Sequence, residues 1–147
     1  MNFQKFFQKL SYFQYPMMLV GLYFAFKPYT YIFNNAIQNG ESFLSDLNSC
    51  LIFMGLGISF STLQDPTKTQ NKVSKKVWEN PKKGKITIFL LSGFTFLILL
   101  LGIFLFLFSD QQNLKELSFG FIALGIGLIG MLKTALEMFE NHRLDKK

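Results

Sequence analysis

The chain has almost none of the residues from which catalytic and metal centres are usually built. Of its 147 residues one is cysteine, Cys50, one is histidine, His142, and one is arginine, Arg143. A single cysteine excludes an intrachain disulfide framework and any cysteine-rich metal site. His142 sits in a polar tail, far in sequence from Cys50 and from the acidic residues. No nucleophile and base and no pair of metal ligands can be assembled in the apolar segments, so neither catalysis, a cofactor nor a metal is expected. Charge is scarce too: 16% of residues are Asp, Glu, Lys or Arg, against about a quarter in ordinary soluble domains. The single tryptophan, Trp78, belongs to no basic-aromatic pattern of a nucleic-acid module, and nucleic acid is not an expected partner.

What the sequence has instead is apolar length. Half of its residues are hydrophobic and nineteen are Phe, and they fall in blocks that read as membrane spans. The cleanest block, residues 86–108, contains no charge and reaches about 34 Å at 1.5 Å per residue, enough for a hydrocarbon core of about 30 Å. Residues 117–136 carry one charge, Lys133, near enough to the end for its stem to reach the headgroups. Residues 43–63 contain Asp46 and Asn48 in their first turns but are apolar behind them. Residues 16–33 are interrupted by Lys27 and Pro28, yet are flanked by tyrosines of the kind found in interfacial belts. The expected fold is therefore an all-α membrane protein, one integral membrane domain over residues 1–147 with four transmembrane helices. No small-residue cleavage site follows the first block, so it reads as a retained helix rather than a signal peptide. Residues 1–15 put Phe3, Phe6, Phe7 and Leu10 on one side of a helix and Gln4, Lys5, Gln8 and Lys9 on the other. That segment is either an amphipathic helix lying in the interface or an extension of the first span into the cytoplasm.

Orientation follows from the lysines, because basic residues in short loops stay on the cytoplasmic side. The segment 65–85 carries seven lysines against Asp65 and Glu79, which places it inside. Four spans then put both termini in the cytoplasm, where Lys5, Lys9, Arg143, Lys146 and Lys147 agree. The other two loops hold one lysine between them, Lys115. Fourteen lysines to one arginine, with abundant Phe, Ile and Asn, resemble the coding bias of an AT-rich bacterial genome, so the expected location is the bacterial inner membrane. Lys72, Lys75, Lys76, Lys82, Lys83 and Lys85 are candidate contacts to anionic lipid headgroups. Trp78, with Val73 and Val77, would tether them through a short helix ending before Asn80 and Pro81. The simpler reading is that these lysines serve only as the topology signal.

One stretch, "GIGLIG" at residues 125–130, matches the G-x-G-x-x-G pattern of dinucleotide-binding turns. The pattern has mechanical content only between a strand and a helix of a βαβ unit, and Gly125, Gly127 and Gly130 lie inside the fourth span. Their spacing points to packing. Gly120, Ala123, Gly127, Gly130 and Thr134 recur at steps of three and four along one helical face, and Ser45, Asn48, Ile52, Gly55, Ser59 and Thr62 do the same in the second span. In lipid, small residues let helices approach closely, and close packing drives association. The two stripes meet either within one compact chain or across a homodimer.

Lys27 and Asp46 fall at similar depth in the first two spans, about 9 Å and about 5 Å from the same interface at 1.5 Å per residue. A charge within a span seeks a partner or water. The two are a candidate ion pair at a kink introduced by Pro28, or each snorkels separately. No ionisable residue is expected at the midplane, which weighs against a transport path. The functional expectation is thus a non-catalytic accessory or assembly subunit of a larger membrane complex. The alternative is a small-solute or ion transporter or channel subunit acting as a homo-oligomer. The topology generates a direct check: cysteines placed at position 71 or 147 should resist labelling by an impermeant reagent added outside intact cells, and labelling there would overturn the orientation.

Overall fold

The computed structural model describes residues 3–33, 40–67 and 72–146. These form helices α1 (Phe3–Ser11), α2 (Gln14–Phe33), α3 (Gly40–Ser61), α4 (Lys72–Glu79), α5 (Pro81–Phe108) and α6 (Gln112–His142), closed by a 3-10 turn at Leu144–Lys146. Three of them, α3, α5 and α6, are long and apolar enough to cross a membrane. At 20 residues, α2 is long enough at about 30 Å, but Lys27 and its tyrosines lower its apolarity.

Local chemistry explains the boundaries. Asn80 caps α5, its Oδ1 accepting from the backbone N–H groups of Lys82 at 3.0 Å and Lys83 at 3.1 Å, with Pro81 at the first helical position. This cap starts α5 five residues before the apolar block begins at residue 86. Within the basic segment, residues 72–85 are therefore helical apart from Asn80, with α4 ending at Glu79 and α5 starting at Pro81. Likewise α6 extends beyond residues 117–136 at both ends. The first helix is separate from the second: Tyr12 and Phe13 turn the chain, their N–H groups donating to the carbonyls of Lys9 at 3.2 Å and Leu10 at 3.0 Å. Helix α2 runs through Pro28 without a break in its helical assignment.

The four long helices lie in a row, in the order α2, α3, α6, α5, rather than as a closed bundle. Helix α2 is antiparallel to α3: Phe24 stacks on Phe53 with ring centroids 5.8 Å apart, and Phe13 lies 5.8 Å from Phe60. Helices α3 and α6 run parallel, with Asn48 beside Gly120, Gly55 beside Gly127 and Thr62 beside Gly130. Helix α5 returns antiparallel along the far side of α6, with Gly102 against Ile122, Leu99 against Gly125, and Gly84 against the Phe139 ring.

A row buries little. Among the described residues the buried apolar side chains are Cys50, Leu117, Leu128, Ala135 and Phe139, whereas Phe89 is 78% exposed and Phe108 71%. Such an inside-out distribution suits lipid as the surrounding solvent, since exposed apolar area of this extent is not tolerated in water.

The α3–α6 seam is the tightest contact. A Cβ built on Gly55 would lie 2.6 Å from the carbonyl oxygen of Ala123, and one built on Gly127 would meet the carbonyl oxygen of Gly55. Backbone cannot move aside as a side chain can. Gly93 of α5, in contrast, faces nothing within 4 Å. Gly127→Ala should separate α3 from α6 and lower resistance to denaturation in detergent. Gly93→Ala should be neutral or mildly stabilising, because Ala is the better helix former by about 1 kcal/mol. Equal behaviour of the two variants in a thermal aggregation assay would remove this account of the seam.

Candidate functional site

At the end of the row where α3 and α6 begin, three helices border an open polar cavity of about 340 Å³. It is lined by Lys27 of α2, by Glu41, Ser42, Ser45 and Asp46 of α3, and by Asn113 and Glu116 of α6. Lys27 Nζ lies 2.8 Å from Asp46 Oδ1, within hydrogen-bond distance. The Asp46 side chain is only 7% exposed and that of Lys27 35%. The pair thus joins a carboxylate set into the α2–α3 interface to an ammonium that still reaches the cavity. Lys27 Nζ also sits 5.7 Å from the centre of the Phe24 ring, a favourable place for a cation. Thr30 Oγ1 donates to the Lys27 carbonyl at 2.6 Å, tying the helix together just past Pro28.

Below the cavity runs the seam of small residues. Ser59 Oγ donates to the Gly55 carbonyl at 2.9 Å and Thr62 Oγ1 to the Ser59 carbonyl at 2.7 Å, so both hydroxyls are spent within α3. Among the described residues only Thr134 reaches across the seam, its Oγ1 lying 3.2 Å from the Gly130 carbonyl and 3.4 Å from that of Thr62. The seam is therefore held mainly by close packing of Gly55, Gly120, Ala123, Gly127 and Gly130. Asn48 Oδ1 is buried with no hydrogen-bond partner among the described residues, and lies 2.6 Å from where a Cβ of Gly120 would be. Only glycine at 120 leaves room for it.

The opposite end of the row carries a second, smaller cavity of about 210 Å³, lined by Gln14, Ser61, Thr62, Ser74, Trp78, Met131, Thr134, Ala135 and Met138. Trp78 belongs to this cavity, its Nε1 donating to Ser74 Oγ at 2.9 Å, and so faces α6 rather than accompanying the lysines. The lysines point away: Lys72, Lys75, Lys76, Lys82, Lys83 and Lys85 are all exposed. Val73 is 72% exposed. Among the described residues no group of His, Cys, Asp or Glu is arranged to hold a metal ion.

Sequence reasoning named Lys27, Asp46 and Ser45 of the first cavity but not Glu41, Ser42, Asn113 or Glu116. The last two were hidden because the apolar block begins at residue 117, one turn after α6 starts. The signal was the helix-compatible run Gln112–Glu116 between Gln111 and Leu117. No family model, no curated protein and no solved structure matches the chain.

The geometry makes the two partners of the ion pair unequal. Lys27→Met removes the cation beside a carboxylate whose side chain is only 7% exposed, whereas Asp46→Leu removes the anion beside an ammonium whose side chain is 35% exposed. Lys27→Met should be the more harmful single change. The double variant should be less harmful than the sum of the two, with a coupling of roughly 0.5–3 kcal/mol measured by unfolding in detergent. Strict additivity would show that the pair contributes nothing to stability.

Proposed function

We propose that the protein is a small inner-membrane protein with four spans and both termini in the cytoplasm, acting as a non-catalytic accessory or assembly subunit of a larger membrane complex. The fourth span is α2. Its length, its packing along α3, and the neutralisation of Lys27 by Asp46 support membrane placement, because the pair offsets the charge that weakens its apolar character. The cytoplasmic placement of the termini rests on the lysines of α4 and of the start of α5.

One observation carries the accessory reading: the polar cavity at one end of the row and the smaller, largely apolar one at the other are not joined, because the seam between them is closed. Gly55 and Gly127 bring the α3 and α6 backbones into direct contact midway, leaving no room for water or an ion along that line. Among the described residues the outer edges of α2 and α5 have no protein neighbour, with Tyr23, Phe26 and Tyr29 exposed on one and Phe89, Phe96 and Leu97 on the other. Exposed edges of this kind suit lateral docking against larger helices, or against a second copy. The ion pair at the base of the wider cavity favours the second reading, a transporter or channel subunit completed by oligomerisation, since ionisable groups within spans mark transport paths by default.

Two measurements separate these readings. Affinity purification from native membranes in mild detergent should recover the protein with a larger membrane protein in fixed ratio. Proteoliposomes containing the pure chain should move neither protons, alkali cations nor small organic solutes. Specific flux abolished by Lys27→Met would reverse the ranking.

A further inference from the structure

The end of the row that carries Trp78 has a feature the accessory reading does not use. Helix α1 is amphipathic, yet the phenylalanines of its apolar side are left largely uncovered: Phe3 is 66% exposed, Phe6 48% and Phe7 44%. Lys5 and Lys9 are exposed on the opposite arc. The helix is nonetheless fixed in place. Ser11, 1% exposed, donates to the Gln8 carbonyl at 2.7 Å, and in the turn Phe13 lies against Phe60 near the end of α3. Gln14, the first residue of α2, shares its cavity with Ser74 and Trp78 of α4, so α1 joins the row beside the helix that exposes Lys75 and Lys76. Lys75 pairs with Glu79 at 3.7 Å, an exposed pair of little strength.

We propose that α1 and α4 together form a binding surface for anionic phospholipid, with the phenylalanines of α1 inserted among the acyl chains and the lysines of both helices on the headgroup phosphates. The arrangement has the two components such a surface requires. Apolar side chains on one arc lower a short helix into the interface, while basic side chains on the other select acidic headgroups. The turn at Tyr12 and Phe13 supplies the geometry: it breaks α1 from α2, so that α1 need not continue along the membrane normal. Helix α4 adds cations but little apolar area, with Trp78 turned to α6. The seat for the chains is thus α1, and α4 supplies charge.

Full-length protein in bilayers of equal parts phosphatidylglycerol and phosphatidylcholine tests this. In a Phe7→Trp, Trp78→Phe variant the only indole sits on α1, and each lipid in turn is brominated on its chains. Bromine on phosphatidylglycerol should quench that indole more strongly, corresponding to a local enrichment of roughly fivefold. The preference should collapse in high salt and on adding Lys5→Gln and Lys9→Gln. On the unaltered chain, lipid retained through native mass spectrometry should be mostly phosphatidylglycerol. Equal quenching by both lipids, without anionic excess among retained lipid, would overturn the proposal, as would an indole quenched by neither. Both leaflets have the same composition, so the result is independent of which way the protein faces and of whether it joins a larger complex.

Discussion

Everything in this structure depends on how closely α3 and α6 approach. In water a pair of helices is held by removing apolar area from solvent, but lipid offers no such gain, because its chains are as apolar as leucine. What remains is dispersion between atoms in contact and the few polar groups that meet. Both fall off within fractions of an ångström, so the backbone separation sets the strength of the seam. Gly55 and Gly127 set that separation, and Asn48 and Thr134 occupy its ends. The outer helices are then hung on this pair: α2 through rings and an ion pair on α3, and α5 through Gly102, Gly125 and Gly84, each filled by a side chain of the facing helix.

Helix α6 explains why the arrangement is a row. It presents Gly120, Gly127 and Gly130 to α3 and Gly125 to α5, so a single stretch of sequence serves two interfaces on different sides. The dinucleotide-like spacing of its glycines is the superposition of two packing faces. A helix with small residues on two sides sits between two neighbours, while α2 and α5 each pack on one.

The apolar block at residues 86–108 was legible because nothing but a membrane helix tolerates such a run, and the small-residue stripes were legible because their period is helical. The partner of each stripe was not. Periodicity places Gly127 on a face without naming the helix opposite, and Gly125 was masked by the motif it shares. Boundaries were missed where polar residues begin a helix that apolar residues continue: Asn80 and Pro81 start α5, and Gln112 starts α6, both ahead of the hydrophobic signal. That displacement hid Asn113 and Glu116, and with them one wall of the polar cavity. The pairing of Lys27 with Asp46 was open to reasoning from depth alone, since opposite charges at equal depth in consecutive antiparallel helices are neighbours if the helices touch.

The parallel contact between α3 and α6 also orders the events of biosynthesis. Helices α2 and α3 are consecutive and antiparallel, so they can pair as soon as both have left the ribosome. The central seam waits, because Thr62 and Thr134 are 72 residues apart and an entire helix, α5, is made between them. Until the last helix arrives, Asn48 and the backbone around Gly55 face lipid on a half-built protein. The nascent chain spends that interval with its most adhesive surface uncovered.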